Sequence, residues 1–235
     1  MEEKRSAAVV LAAGQGKRMQ SRVQKQYMTV SGKPLLYYAL KAFEESRIDD
    51  IILVVGSGEI PYCREHIVEA YGFTKVRAVV EGGRERYHSV YQGLLAVENC
   101  GYVLIHDGAR PLVDSEMIAR TLDEVQKCGA CVVGMPVKDT IKVADDAGYA
   151  VATPDRSKLW AVQTPQAFTY SLILSAYRKL FDKDEYQNGI TDDAMVVEQM
   201  AGHKVKLIEG SYENVKVTTP EDVMIAEVFL QKRGL

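Results

Sequence analysis

Short apolar runs rich in β-branched residues alternate along the chain with longer amphipathic stretches. The runs "AAVVLA", "DIILVV", "VRAVV", "YVLIHD" and "CVVGMPV" have the length and composition of buried strands. Between them, apolar positions recur at helical spacing near 34–46, 60–71, 86–98 and 115–128. Nearly continuous apolar strands separated by helices predict a parallel sheet covered on both faces. In such sheets ligands collect beyond the carboxyl ends of the strands. The segments "AAGQG", "EGGRER" and "HDGARP" all fall there.

The alternation breaks after residue 136. "DTIKVADDAGYAVATPD" reads as two short strands around a turn at Asp146, Ala147 and Gly148. Its apolar content is too low to pack on the main core, so residues 137–159 are expected to project as a β-arm. Helices resume near 171–181 and 192–201, followed by a strand at "KVKLIE". A last helix starts after Thr219, an N-cap, with Pro220 at its first position and acids in its first turn. No repeat, low-complexity segment or linker interrupts the pattern. The expected fold class is α/β: one domain over residues 1–235, with a Rossmann-like, mostly parallel sheet flanked by helices and a projecting hairpin.

Composition narrows the function. A net charge of -3 argues against general affinity for nucleic acid, so cations matter only where they cluster. No apolar run approaches the ~20 residues that span a bilayer. "MEEKRS" enters the first strand with no signal peptide, so a cytoplasmic location is expected. Cys128 and Cys131 form a single C-x-x-C between a helix and a strand, a pattern read here as core packing.

The cations do cluster. "GQGKRMQSRVQKQY" puts two glycines and Lys17, Arg18, Arg22 and Lys25 just past the first strand. Glycines let a backbone approach a bound group, and cations on both sides suit a group with several negative charges. Neither common phosphate loop fits: Met19 stands where a dinucleotide loop needs its third glycine, and Leu11 and Arg18 break the Walker pattern. Arg18, Lys25, Arg84, Arg86, Arg110, Arg156 and Lys216 read as lying in or beside turns rather than on helix faces, and several lie where strands should end, near glycines or prolines. Asp107, at the end of "YVLIHD", can hold magnesium or orient a hydroxyl, whereas His106 beside it reads as a packed core group. A glycine loop, scattered cations and a sheet-end acid suit phosphoryl or nucleotidyl transfer, which needs alignment and charge neutralisation more than acid–base help.

The segments "LAAGQGKRM", "KQY", "GKPLL", "GGRERYHSV", "HDGARP", "DTIK", "LWAVQTPQAF", "TDDA" and "NVKVTTPED", in this order, resemble the bacterial 2-C-methyl-D-erythritol 4-phosphate cytidylyltransferase family of isoprene biosynthesis. The resemblance covers about residues 7–228. It implies transfer of CMP from CTP to the alcohol phosphate with release of pyrophosphate, assisted by Mg2+. It also implies catalytic roles for Arg18 and Lys25 on the α-phosphate and leaving group, and for Arg156 and Lys216 in aiming the attacking oxygen. Ala12, Ala13, Gly14 and Gly16 would wrap CTP, while Gly83, Arg84 and Ser89 would read the cytosine. Asp107, Arg110, Thr140 and Thr164 would face the polyol phosphate, with Asp107 also near the metal. The arm, carrying Thr140 and Arg156, would reach across a homodimer. The sequence departs from the family at Gln24, where Pro is usual, and at Gly108, where Ala is usual; both predict altered loop mobility.

Three other readings compete. A ribitol 5-phosphate cytidylyltransferase shares the nucleotide half, and "HDGARP" and "GGRER" weigh against it. A dinucleotide-binding Rossmann protein predicts an acid ending the second strand, and "DIILVVGSG" has none. A non-catalytic CTP sensor would have no need of Arg18, Lys25, Arg156 and Lys216 together.

Overall fold

A computed structural model describes residues 4–14 and 24–235. A seven-stranded sheet forms the centre. Strands β1 (Ser6–Ala12), β4 (Asp50–Val55), β5 (Val76–Glu81), β6 (Tyr102–Asp107), β7 (Ala130–Pro136), β10 (Trp160–Thr169) and β11 (Lys206–Glu209) line up in the order β11-β7-β10-β6-β1-β4-β5. β1 pairs in parallel with β4 and β6, β4 with β5, and β11 with β7. The expected mostly parallel sheet is therefore present.

Both faces are covered, which is why the strands read as unbroken apolar runs. Along β1, Ala8, Val10 and Ala12 join one core while Ala7 and Val9 join the other, the two-residue period of a strand. The first face is packed by α1 (Leu35–Glu44), through Leu36, Leu40 and Phe43, and α4 (Ser115–Cys128), through Met117, Leu122 and Val125. The second is packed by α3 (Arg86–Leu95), α5 (Tyr170–Leu180) and α6 (Asp193–Ala201), through Val90, Leu94, Ile173, Tyr177 and Val197. A smaller cluster of Leu35, Leu112, Val217, Ala226 and Leu230 clasps α7 (Pro220–Lys232) to the molecule.

Local chemistry sets the ends of these helices. The Asp114 carboxylate accepts from the Met117 N–H at 2.8 Å and caps α4, a contact worth about 1 kcal/mol. Gly129 closes the same helix with φ +78°, the left-handed conformation that glycine adopts without strain. Thr219 and Asp222 form a capping box with Pro220 in the first turn of α7, as its sequence predicts.

Four features differ from the sequence expectation. β10 lies between β6 and β7 and is antiparallel to both, with a register shift between Val162 and Gln166. Pro165 inside that run argues against a strand, and the irregularity is what accommodates it. The stretch 60–71 is a short helix, α2 (Ile60–Cys63), continued by a π-helical Arg64–Glu69. Arg86 is the first residue of α3 and not a turn residue. A two-stranded ribbon, β2 (Thr29–Val30) with β3 (Lys33–Pro34), was not apparent from periodicity because each strand has only two residues. The hairpin is present as β8 (Val143–Ala144) against β9 (Ala150–Ala152), turning at Asp146–Gly148, and residues 138–153 are exposed throughout.

Candidate active site

The site is built around the carboxyl end of β6. The strand delivers Asp107 into the loop with its side chain only 11% exposed. An isolated carboxylate there would carry a large desolvation cost. Three cations remove it: Lys216 Nζ lies 2.8 Å from Oδ2, Arg86 Nε 3.3 Å from Oδ1 and Arg110 Nε 3.9 Å from Oδ2. Burial alone would raise the Asp107 pKa; Arg86, Lys216 and Arg110 outweigh it and hold the carboxyl well below the usual range. Asp107 is an anion at any working pH.

His106 beneath it is not a base. Burial pushes its pKa down to about 4, so it is neutral. Its tautomer follows from its partners. Nε2 faces the Arg110 carbonyl at 3.2 Å and must donate, which leaves Nδ1 to accept from the Thr164 hydroxyl at 3.0 Å. The Thr164 oxygen in turn accepts from the Asp107 N–H at 3.1 Å. Thr164 thus fixes the backbone of Asp107 from β10, and the expected packed role of His106 holds.

A strap after β11 completes the floor. Asn214 is fully buried and donates to the Thr164 carbonyl at 2.9 Å, while its own carbonyl accepts from Arg110 Nη1 at 2.7 Å. Val217 N–H donates to the Ala109 carbonyl at 2.8 Å, and the Val217 carbonyl accepts from Lys25 Nζ at 3.3 Å. One segment, "NVKVT", therefore places Lys216 against Asp107 and steadies Lys25. Gln24 Nε2 donates to Glu59 Oε1, and Gln26 Nε2 donates to the Ala12 carbonyl at 2.6 Å and to Gln24 Oε1 at 2.5 Å. Those side-chain bonds tie Gln24 and Gln26, on either side of Lys25, to Glu59 and to the end of β1.

Gly108 has a packing reason. Its N–H donates to the Leu11 carbonyl at 2.8 Å, and an added Cβ would stand 2.9 Å from that same oxygen and 2.8 Å from Leu36 Cδ1. The close approach of the β6 loop to the end of β1 requires glycine as the chain is packed here.

Two clefts meet at this cluster. One, of about 580 Å3, runs between Ala12, Ala13 and Gly14 on one side and Gly83, Arg84 and Ser89 on the other, with Lys25 and Lys216 at its floor. The Ser89 hydroxyl accepts from the Gly83 N–H at 3.1 Å, fixing that edge. The other, of about 410 Å3, is bounded by Arg110, Trp160, Thr164 and Thr191. Asp107, Arg86 and Lys216 line both. A site with two cavities sharing one charged wall can hold two anionic substrates with their reacting ends together.

The described chain brings Ala12, Ala13, Gly14, Lys25, Gly83, Arg84, Ser89, Asp107, Arg110, Thr164 and Lys216 to these clefts. Thr140 and Arg156 are elsewhere, exposed on the arm, where Arg156 Nη1 donates to the Lys138 carbonyl at 2.6 Å. Gly16 and Arg18 lie outside the described residues. Sequence reasoning gave Arg86 no role and passed over Asp193, Gln166 and Tyr177, which stand behind it. "GGRER" and "TDDA" contain two of these, but an acid at a helix start reads as a cap.

Among the described residues, no three His, Cys, Asp or Glu side chains stand together as a metal cage. Asp107, which lines both clefts, is placed to touch an ion, and its oxygens already face cations. The residues fit magnesium carried chiefly on substrate phosphates, with one protein carboxylate beside it.

The family model for IspD, 2-C-methyl-D-erythritol 4-phosphate cytidylyltransferase, matches residues 6–232. The chain belongs to that family. It is 51% identical over 226 residues, 96% of each chain, to the 2-C-methyl-D-erythritol 4-phosphate cytidylyltransferase of Lachnoclostridium phytofermentans. Its fold matches the 4-diphosphocytidyl-2C-methyl-D-erythritol synthase of Anaerococcus prevotii with a TM-score of 0.85 at 34% identity, covering 97% of this chain and 96% of that one. A second solved cytidylyltransferase, from Thermus thermophilus, matches with a TM-score of 0.76 at 30% identity, covering 95% and 98%. The cytidylyltransferase family thus accounts for nearly the whole chain, the hairpin included.

Proposed function

We propose that the protein joins CTP to 2-C-methyl-D-erythritol 4-phosphate, giving 4-CDP-2-C-methyl-D-erythritol and pyrophosphate. Family membership supports the reaction, and one observation of this chain carries it: a buried carboxylate ringed by three cations forms the wall between two clefts.

CTP takes the larger cleft. The Ala12–Gly14 turn lets its phosphates come close to the backbone, and the Gly83–Ser89 edge faces the base with backbone and hydroxyl groups. A cytosine pocket built from such groups rejects a wrong base because buried polar atoms are left unpaired. The alcohol phosphate takes the smaller cleft, against Arg110 and Thr164. Arg110 lines that cleft, its Nη1 held by the Asn214 backbone carbonyl at 2.7 Å and its Nε facing Asp107 at 3.9 Å. Lys216 aims an oxygen of the alcohol phosphate at the α-phosphorus of CTP. A new P–O bond forms there as the bond to the β-phosphate oxygen breaks, and its electron pair leaves with pyrophosphate. Lys25 and Arg18 neutralise the charge that builds on the α-phosphate and leaving group. Magnesium would be held by the CTP phosphates and Asp107, and supplies further charge neutralisation when bound.

The same reading takes the protein as a cytoplasmic homodimer whose arm brings Thr140 and Arg156 to the partner's smaller cleft. The exposure of the arm, which leaves Arg156 outside the clefts of its own chain, supports that placement. 31P NMR of a mixture of CTP, magnesium and methylerythritol phosphate tests the reaction. New diphosphate resonances together with pyrophosphate are expected. Bound CTP with no new resonance would instead favour a sensor.

A further inference from the structure

Arg86 is not simply one more cation in the cleft. Its guanidinium is gripped from behind by a second carboxylate, Asp193, through two parallel bonds: Nη1 to Oδ1 at 3.0 Å and Nη2 to Oδ2 at 2.8 Å. Asp193 has no exposed surface. It lines neither cleft. A carboxylate buried this fully is costly unless its charge and its lone pairs are well satisfied. Here it is satisfied in detail. The Tyr177 hydroxyl donates to Asp193 Oδ1 at 2.6 Å. The N–H groups of Asp193 and Ala194 both donate to Gln166 Oε1, at 3.1 and 3.0 Å, and Gln166 Nε2 donates to Asp192 Oδ2 at 3.0 Å.

The consequence lies in what Arg86 has left to offer. With both Nη atoms committed to Asp193, only Nε reaches Asp107, at 3.3 Å. Asp107 therefore stays free to take Lys216 at 2.8 Å. Remove the rear carboxylate, and the guanidinium is free to turn its two-pronged end onto Asp107 and compete with Lys216 there. The residues bonded into this chain, Gln166 and Asp192, line the smaller cleft with Thr191 and do not line the larger one.

We propose that Asp193 is a positioning residue for the alcohol-phosphate subsite: it holds Arg86 side-on to Asp107 so that Lys216 remains aimed at the second substrate. The inference rests on the reaction proposed above. It requires that the effect fall on one substrate and not on both.

Steady-state kinetics of wild type, Asp193→Asn and Tyr177→Phe, varying each substrate in turn, tests it. Asp193→Asn keeps the shape but removes the charge. It should raise KM for methylerythritol phosphate on the order of 10-fold or more and lower kcat, with KM for CTP within about 3-fold of wild type. Tyr177→Phe removes one bond and keeps the packing, so it should shift the same KM in the same direction by roughly 2- to 5-fold. If Asp193→Asn does not fold, Tyr177→Phe decides alone. Equal rises in both KM values, or unchanged kinetics with only a lower Tm, would make Asp193 a structural ion-pair partner and overturn the proposal. A wild type inactive on methylerythritol phosphate would instead remove the underlying reaction, a result distinct from an active wild type with an unaffected variant.

Discussion

Lys25 sits in a short 3-10 turn directly after Gln24, with its ammonium 3.3 Å from the Val217 carbonyl. Lys25 also lines the larger cleft, where a bound triphosphate would come within its reach. Lys25→Ala should therefore lower kcat by about 100-fold or more while leaving KM for CTP nearly unchanged, because the contact strengthens as charge develops. Equal losses in both would make Lys25 a simple nucleotide binder. Gly108 offers a second test. The 2.9 Å approach of an added Cβ to the Leu11 oxygen means Gly108→Ala must push the β6 loop off β1. A loss of about 1–3 kcal/mol in denaturant unfolding is expected, and unchanged stability would show that the loop moves aside freely. His106 gives the pH dependence. Its folded pKa is depressed from 6.5 to about 4, chiefly by burial. The unfolded chain then takes up a proton that the folded one refuses. The contribution of His106 is full above about pH 6.5 and declines as pH falls toward 4, by roughly 3 kcal/mol in all. His106→Gln should lose less stability than wild type between pH 7 and 4.5, and an equal loss would contradict the assignment.

At the scale of elements, what the sequence reveals follows from what periodicity can carry. β1, β4 and β6 are buried on both faces, so their apolar runs stand out, and their ends and those of the edge strand β5 fall within a residue of the expected ones. β10 was legible only as part of the family resemblance. Pro165 and two glutamines interrupt its run, and its antiparallel place between β6 and β7 is a tertiary fact with no local signature. The site divides the same way. Asp107 shows because a strand-end acid is unusual, whereas Asp193 at the start of α6 looks like any helix cap. Its pairing with Arg86 spans 107 residues of sequence. The arm is the element whose proposed role needs a second copy of the chain. If it completes the partner's smaller cleft, Arg156→Ala should raise KM for the alcohol phosphate about 10-fold and leave that for CTP alone. Unchanged alcohol kinetics would take Arg156 out of the site.

The whole molecule separates its tasks by geometry. A two-faced core fixes the strand ends, and the strand ends fix one carboxylate. Three cations drawn from α3, the β6 loop and the C-terminal strap then surround it. A net charge of -3 over 235 residues gives the molecule no general attraction for polyanions, so the cations that line the clefts act locally. Ala12, Ala13 and Gly14, where the glycine-rich segment begins, line the larger cleft opposite Gly83, Arg84 and Ser89. In the proposed reaction these clefts hold CTP on one side and methylerythritol phosphate on the other. The measurement that tests it most directly is pyrophosphate release from CTP and magnesium, with methylerythritol phosphate in one reaction and ribitol 5-phosphate in another. Rapid release with methylerythritol phosphate and little with ribitol 5-phosphate is predicted. Release with ribitol 5-phosphate alone would contradict the assignment of the smaller cleft, and silence with both would contradict the catalytic reading itself.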